Sequence, residues 1–581
     1  MLVTAKAATL LAGPQVPLSV WSPFAYLWQD VCVALLFYFL DRGLERPAAA
    51  WTLYGVLVAY TAINVPLVRV LSTPLTWTMM RAARGPLTEA VVHYVTAANL
   101  AAVAAPVVVA MALPLMLRRR AVAMPRWAVA LAIAIVAMGP FAAARVDTHG
   151  LHRNALGAMV ATSLPRLTPA PGAGDWRLSP FGATDKHRPQ VDTDGHGPTA
   201  EDLSSLRGSM KGRNVILVIL ESTGARHVGA YGGNPDPTPN LTALARRSIV
   251  FERAYAVYPE SIKGLFATLC SRYPAFDTPP ELYAGAACAP LPRTLSAAGY
   301  RTALFHSGRF DYLGMRSIID GRGFELLEDA GAIGGQVNSS FGVDDASTVR
   351  RALDWIRSLG KGERFFLTYL PVAGHNPYEV TRPGPFAGRD DFTRYLNALH
   401  EGDEALGELL AGLRALGIED DTIVIVFGDH GEAFGEHPGN FAHTMFVYDE
   451  NIRVPYLIAA PGTVGGQRRV QRLASTIDTA PTILDLLGLP AEALHQGTSL
   501  LGPESRMALF FTDYSIGWLG LADGCWKYLF EMDSSRSRLF DVCDDPGETR
   551  DRAREFPERV ASYRARVREW AAAQKDAMGG R

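Results

Sequence analysis

Asn214-Val215-Ile216-Leu217-Val218-Ile219-Leu220 is the stretch of sequence that decides the fold. It carries no charge, and four of its seven residues are β-branched. A continuous apolar run of this length, without polar alternation, predicts a strand buried on both faces in a parallel sheet.

Other strands of the same type follow along the chain. Thr302–His306, Phe365–Leu370 and Thr422–Phe427 are short and apolar, and helical patterns such as Phe392–Leu416 lie between the strands. This alternation predicts an α/β fold with a mainly parallel sheet. In such sheets the functional residues collect beyond the carboxyl ends of the strands.

Polar side chains follow three of these strands. Glu221 follows the first, His375 lies shortly after Phe365–Leu370, and Asp429 and His430 follow Thr422–Phe427 within Gly-Asp-His-Gly-Glu. Each has a plainer interpretation alone, because an acidic residue after a strand is often a helix cap and Asp-His-Gly can form a turn. Together at neighbouring strand ends, two carboxylates and an imidazole predict a site for a divalent metal.

Ser261 is the candidate nucleophile. The apolar pattern that follows it, up to Cys270, predicts a helix with Ser261 at its N-terminus. Free backbone N–H groups and the helix dipole attract anions there. The alternative is that Ser261 is only an N-cap.

Four long apolar stretches occupy the first 145 residues. A bilayer span needs about 20 residues, and the candidates are roughly 24–40, 51–68, 96–117 and 127–144. A buried helical domain of a soluble protein is the alternative. Residues 1–20 are broken by Gly13, Pro14 and Pro17 and do not resemble a signal peptide, although a fifth span there stays open.

Basic residues between the spans predict the orientation. Arg118–Arg120 and Arg126 separate the third and fourth spans, and the positive-inside rule places them in the cytoplasm. Everything after Arg145 is then extracytoplasmic, which predicts a multi-pass protein of the inner (plasma) membrane. The same count leaves Arg69, Arg81 and Arg84 outside, which is a point against it.

Composition limits the remaining classes. With 581 residues, two or three domains are expected, and 56 Lys and Arg against 58 Asp and Glu give no basic surface for nucleic acid. We predict a transmembrane domain at 1–145, a Pro- and Gly-rich linker at 146–212, a catalytic domain at 213–510 and a C-terminal subdomain at 511–581. A short helix is expected within 149–165. The sequence does not indicate an oligomeric state.

The C-terminal part and the cysteines add two expectations. Gly524–Phe530 and Arg538–Asp541 predict a hairpin of a small antiparallel sheet, and the charged tail from about Glu555 is expected to form a solvated helix. Cys270 and Cys288 are 18 residues apart, and so are Cys525 and Cys543. Such pairs predict two disulfides in an oxidising compartment, with four buried thiols as the alternative.

An ordered series of motifs over about 210–550 resembles one family. It comprises Glu221, Thr238-Pro239-Asn240-Leu241, Ser261, Cys270-Ser271-Arg272-Tyr273-Pro274, Gly428-Asp429-His430-Gly431-Glu432, Gly435-Glu436-His437, Arg453-Val454-Pro455, Asp478-Thr479-Ala480-Pro481 and Asp545-Pro546-Gly547-Glu548. These resemble the sulfatase family of the alkaline phosphatase superfamily. With the preceding spans, the nearest relatives are lipoteichoic acid synthases and phosphoethanolamine transferases. The resemblance implies an alkaline phosphatase-like fold.

The resemblance also implies roles by position. Glu221, Asp429, His430 and the Ser261 hydroxyl would bind one divalent metal, with Mn²⁺ or Zn²⁺ favoured over Mg²⁺ or Ca²⁺. Ser261 would be the nucleophile, and His375 and His443 would contact the phosphate or sulfate group, His443 also protonating the leaving group. Further substrate-binding candidates are Arg316, its rival Arg309, His437 and Lys263.

One departure separates the subfamilies. Sulfatases convert a Cys or Ser into formylglycine within Cys/Ser-x-Pro/Ala-Ser-Arg, whereas Ser261 is followed by Ile-Lys-Gly-Leu. An unmodified serine is therefore expected, although the transferases use threonine at this position. We expect transfer of a phosphoglycerol- or phosphoethanolamine-type headgroup from a membrane lipid to an envelope lipid or glycan. A membrane-anchored hydrolase of phosphate or sulfate esters is the alternative, and a catalytically dead binding protein is a third.

Overall fold

The computed structural model describes residues 2, 5–6, 10, 19–44, 46–71, 73–82, 95–117, 125–172, 174–182, 202–339, 342–515 and 517–578. The strand predicted at 214–220 is present and lies in the middle of a nine-stranded sheet within these residues. The strands are β1 Asn214–Leu220, β2 Ser248–Tyr255, β3 Tyr300–His306, β4 Leu326–Glu328, β5 Val337–Ser339, β6 Gly342–Val343, β7 Arg364–Leu370, β8 Thr422–Gly428, β9 Ala433–Phe434, β10 Phe441–Ala442, β11 Arg453–Val454, β12 Tyr456–Ala459, β13 Arg468–Ser475, β14 Ala508–Thr512, β15 Trp518–Asp523, β16 Trp526–Glu531 and β17 Arg536–Asp541.

The large sheet is mainly parallel, as predicted. Its order is β11-β2-β12-β8-β1-β7-β3-β4, with β13 parallel to β2. β1 pairs in parallel with both β7 and β8, and β3 pairs in parallel with β4 and β7. β11 and β12 run against their neighbours.

Both faces of β1 are covered. Val215, Leu217 and Ile219 join one hydrophobic cluster, and Ile216 and Val218 join the other. Side chains alternate across a strand, so this division shows why β1 reads as a continuous apolar run.

Helices pack on the two faces of the sheet. Asp391–Ala415, predicted at 392–416, contributes to the cluster around Ile216, and Ser261–Cys270 contributes to the cluster around Leu217. The other α-helices described from residue 213 onward are Pro239–Ala245, Leu291–Ala297, Arg316–Ile319, Ala330–Ile333, Asp345–Ser358, Asp449–Ile452, Thr479–Leu486 and Pro557–Ala577.

Among the described residues, four N-terminal helices are long and apolar enough to cross a membrane, by length and composition. They are Ser22–Gly43, Pro47–Leu71, Ala97–Leu117 and Arg126–Arg145, and they coincide with the four predicted stretches. Most of residues 1–20, where a fifth span stays open, lie outside the described residues. Arg84 and Arg118–Arg120 lie outside them as well.

Two short helices in the N-terminal part of the chain contact each other. They are Trp77–Ala82, between the second and third apolar helices, and Ala155–Ser163, within the predicted 149–165. The Trp77 backbone N–H donates to Thr162 Oγ1 at 3.0 Å, so both lie at the same end of the four apolar helices. This agrees with an even number of spans between them.

The C-terminal residues form an antiparallel sheet of β14 to β17, and β16 and β17 are the predicted hairpin. The expectation of a solvated tail helix was wrong. Tyr563, Val567 and Trp570 of Pro557–Ala577 are buried in the cluster that covers this sheet. Their spacing of four and three residues places them on one face of the helix, a pattern that the many charges obscure.

Both predicted disulfides are present. Cys270 is bonded to Cys288 and Cys525 to Cys543, with Cα–Cα separations of 5.5 and 5.3 Å. The first bond starts from the last residue of the helix that begins with Ser261, and the second joins the ends of the β16–β17 hairpin.

Candidate active site

The ends of β1 and β8 bring three predicted metal ligands together. Leu220 is in register with Gly428, so Glu221 and Asp429 leave the sheet side by side. His430 Nε2 lies 3.6 Å from Glu221 Oε1 and 3.4 Å from Asp429 Oδ2. All three residues are buried. The structure thus brings together the three side chains that the strand-end rule singled out.

Two glycines in Gly428-Asp429-His430-Gly431 are required by close backbone contacts. A Cβ at Gly428 would lie 2.2 Å from the Thr223 carbonyl oxygen, and one at Gly431 would lie 2.2 Å from the Glu450 carbonyl oxygen. Only glycine permits these approaches. The chain on either side of Asp429 and His430 is thus held against neighbouring backbone.

Ser261 faces the two carboxylates from the first turn of its helix. Its Oγ lies 2.9 Å from Glu221 Oε2 and 2.6 Å from Asp429 Oδ2. Glu260 is the N-cap, and its carboxylate accepts hydrogen bonds from the backbone of Ile262 and Lys263. The N-cap interpretation of Ser261 is therefore wrong. Glu260 also occupies N–H groups that were expected to attract an anion.

The hydrogen bonding around this group fits a cation. A serine hydroxyl has one proton, so Ser261 can donate to only one of the two carboxylates at a time. His430 Nδ1 bonds the Gly431 carbonyl at 3.0 Å, which leaves Nε2 as a bare lone pair. That buried Nε2 has no hydrogen-bond partner among the described residues.

The charges of the group lead to the same conclusion. Burial and the negative charge of Glu221 raise the pKa of Asp429 well above its usual range. A divalent cation between the carboxylates would offset this repulsion and take the free lone pair of His430. Glu221, Asp429, His430 and Ser261 together therefore have the donor atoms that a metal site needs.

His443 is held by a carboxylate that sequence analysis left without a role. Its Nδ1 lies 2.6 Å from Glu432 Oε2, and the other oxygen of Glu432 accepts the Tyr378 hydroxyl. The rings of His443 and His430 stack at 4.2 Å. Burial lowers the pKa of His443 well below its usual value. With its Nδ1–H donated to Glu432, neutral His443 has its free lone pair on Nε2.

A cavity of about 350 Å³ opens beside Ser261. Of the predicted substrate-binding residues, His375, His443 and Arg309 line it. His306 lines it too and was missed by sequence analysis. The signal was available, because His306 is the last residue of β3 and the strand-end rule applies to it.

Three other predicted substrate-binding side chains have partners elsewhere and do not line this cavity. Arg316, 51% exposed, pairs with Asp311. His437 Nδ1 lies 2.6 Å from Glu450 Oε1. Lys263 Nζ lies 2.6 Å from Asp513 Oδ2 in a buried pair. Successive helical residues are about 100° apart, so Lys263, two after Ser261, leaves the helix on the far side.

Comparison with known proteins adds a family. Residues 213–489 match the family model described as Sulfatase. The chain is 34% identical to arylsulfatase K of Bos taurus over 222 residues, which are 34% of this chain and 40% of that protein. It is 23% identical to the lipoteichoic acid synthase-like YvgJ of Bacillus subtilis (strain 168) over 327 residues, 51% of this chain and 50% of that protein. The chain thus spans half or less of the length of these two relatives.

Solved structures share the fold. The lipoteichoic acid synthase LtaP from Listeria monocytogenes superimposes with a TM-score of 0.53 at 20% identity, covering 64% of this chain and 94% of that chain. At this level of identity the likeness concerns the fold alone. Combined with the family match, it shows that residues 213–489 of this chain belong to the sulfatase family and adopt the alkaline phosphatase-like fold.

Proposed function

We propose that this protein is a membrane-anchored transferase that acts through a phosphoserine at Ser261. It moves a phospho-alcohol headgroup, of the phosphoglycerol or phosphoethanolamine type, from a membrane lipid to an envelope lipid or glycan. The observation that carries the proposal is the Ser261 hydroxyl, which lies 2.9 and 2.6 Å from Glu221 and Asp429 beside the free Nε2 of His430. The chain after Ser261 lacks the Pro and Arg that accompany formylglycine formation.

Glu221, Asp429, His430 and Ser261 would hold one divalent ion, Mn²⁺ or Zn²⁺ by preference, which would lower the pKa of the serine hydroxyl and offset charge on the ester oxygens. Ser261 Oγ forms the new bond to phosphorus as the bond to the leaving alcohol breaks. The free lone pair of His443 Nε2 accepts the Ser261 hydroxyl proton and passes it to that alcohol. At the second step His443 Nε2 takes the proton of the incoming acceptor hydroxyl and returns it to Ser261 Oγ as the phosphoserine bond breaks.

The other cavity residues bind the substrate. Arg309, His306 and His375 line the cavity beside Ser261, and the Arg309 guanidinium can donate hydrogen bonds to the non-bridging oxygens of the ester. Of the two arginines considered for substrate binding, Arg309 takes this role, because Arg316 is paired with Asp311 at the surface. Glu432 keeps the His443 ring in one orientation.

The catalytic domain is proposed to lie on the extracytoplasmic side. The arginines between the third and fourth apolar helices favour a cytoplasmic position for that loop. Two disulfides in the region after residue 213 suit an oxidising compartment. Lipid donors and envelope acceptors are both accessible there.

A hydrolase of phosphate or sulfate esters is the second candidate. It is favoured by the 34% identity to an arylsulfatase over 222 residues. Water would then replace the acceptor hydroxyl at the second step.

Intact-mass analysis of the purified full chain tests the phosphoserine, and identification of the products separates the two. The protein is mixed with vesicles of phosphatidylglycerol or phosphatidylethanolamine and quenched in acid, beside Ser261→Ala. Transfer predicts an adduct with the mass of the headgroup phosphate in wild type and none in the variant. A resting protein lighter by two hydrogen atoms at residue 261 would show formylglycine and refute the phosphoserine. Release of the free headgroup phosphate in the presence of acceptor lipid or glycan, without a transferred product, would favour the hydrolase.

A further inference from the structure

The N-terminal region supplies one wall of the active-site cavity. Leu67, Leu75 and Met79 line the same cavity as Ser261. Leu67 belongs to the apolar helix Pro47–Leu71, and Met79 to the short helix Trp77–Ala82. Met79 is 7% exposed and joins the hydrophobic cluster that covers one face of the large sheet. The cavity is therefore shared between the two regions of the chain.

This wall is fixed to the catalytic domain by hydrogen bonds. Thr76 Oγ1 donates to the Tyr514 carbonyl at 3.1 Å, and the hydroxyls of Thr73 and Ser515 are bonded to each other. Tyr514 itself lines the cavity. The position of Met79 relative to Ser261 is thus set by hydrogen bonds just before the N-terminus of the short helix and by the packing of Met79 itself.

The cavity has two chemically different parts. Around Ser261 it offers carboxylates, histidines and Arg309, which suit a phosphate ester. Elsewhere its lining is apolar: besides Leu67, Leu75 and Met79 of the N-terminal region, the catalytic domain contributes Leu313, Met315 and Met445. Apolar surface of this kind gains about 25 cal/mol for each Å² that a ligand removes from water. A headgroup alone makes no use of it.

The position of the wall indicates which ligand would cover this apolar surface. Leu67 lies in the last turns of a candidate membrane span, Pro47–Val68, so the apolar part of the cavity begins where that span ends. A phospholipid in the adjoining leaflet has its phosphate at the membrane surface and its acyl chains directly below.

We propose that Leu67, Leu75 and Met79, together with Leu313, Met315 and Met445, form a binding site for the glycerol-proximal part of the acyl chains of a membrane phospholipid. The inference rests on the proposed function and deepens it: the donor stays partly in the bilayer while its phosphate reaches Ser261. The acyl chains thereby select lipid esters over soluble esters with the same headgroup.

The test compares two donors with one headgroup in the full-length protein in proteoliposomes. One donor is phosphatidylglycerol and the other is glycerophosphoglycerol, its deacylated form. Leu67→Ser and Met79→Ser should lower the ratio of kcat/KM for the lipid to kcat/KM for the deacylated ester by about tenfold, the order expected for one buried apolar side chain. A ratio does not depend on how much of each variant folds.

Val56→Ser is the matched control. Val56 lies on the same helix as Leu67, is 61% exposed and does not line the cavity. Its ratio should equal that of wild type. Ratios unchanged in Leu67→Ser and Met79→Ser, or lowered equally in Val56→Ser, would overturn the acyl-chain site while leaving the transferase intact. A parallel series uses phosphatidylethanolamine as the donor. If wild-type protein transfers the headgroup of neither lipid, the proposed function is refuted and the site with it.

Discussion

Replacing Gly431 by Ala should disrupt the metal site without touching any of its ligands. The added Cβ would lie 2.2 Å from the Glu450 carbonyl oxygen, roughly 1 Å closer than ordinary van der Waals contact. Glu450 is held by hydrogen bonds from His437 and Asn440, so its backbone cannot easily yield. The strain must then move the chain next to His430. Overpacking of this kind costs about 1–3 kcal/mol, and a misplacement of about 1 Å can cost about 100-fold in rate.

Three measurements on the full chain test this. Thermal unfolding gives the loss of stability, metal titration by calorimetry gives the loss of affinity, and kcat/KM gives the loss of activity. Gly465→Ala is the control, since a Cβ there meets nothing within 4 Å. Gly431→Ala protein with wild-type metal affinity and kcat/KM would refute the argument that the tight backbone at Gly431 positions His430.

Three further outcomes follow from buried and exposed charges. Asp513→Ala removes the buried partner of Lys263 and should lower the free energy of unfolding by about 3–5 kcal/mol. Asp311→Ala removes one member of an exposed pair and should lower it by less than about 1 kcal/mol. Urea denaturation measures both. Burial lowers the pKa of His152 to about 3, so acid protonates the unfolded chain before the folded one. From pH 7 to pH 5 this histidine should remove about 2 kcal/mol of stability, and His152→Gln should show a correspondingly flatter pH profile of unfolding. Chelation should abolish turnover and lower the unfolding temperature, because it leaves Glu221 and Asp429 as adjacent buried carboxylates. Addition of Mn²⁺ or Zn²⁺ should restore both. Unchanged activity in chelator would contradict the metal site.

Sequence reasoning brought together the side chains of the candidate metal site because a parallel sheet fixes where strand ends lie. Once β1 and β8 are neighbours, the residues that follow them must meet, whatever the rest of the chain does. Glu221, Asp429 and His430 follow from that rule. His306 obeys the same rule but is the last residue of its strand rather than a residue that follows one, so the sequence pattern assigned it to the strand alone.

Side chains on loops and helices could not be placed in this way. Arg309 and Arg316 both lie beyond β3, and nothing in their local sequence shows that Arg316 is bound to Asp311. Lys263 was expected near the nucleophile because it is close in sequence, but helical geometry turns it to the opposite side. His437 is taken by Glu450, a tertiary contact across 13 residues.

The apolar wall was beyond any local pattern. Leu75 and Tyr514 line one cavity although more than 400 residues separate them along the chain. The tail helix shows the opposite case, in which the periodicity of Tyr563, Val567 and Trp570 was present but outweighed by charge.

Anomalous diffraction from crystals of the full chain grown with Mn²⁺ tests the central claim most directly. We predict one strong peak within about 2.0–2.3 Å of Glu221, Asp429, His430 Nε2 and Ser261 Oγ. A peak at another group of potential ligands, such as His437, Glu450 and Glu548, with none beside Ser261, would contradict the account.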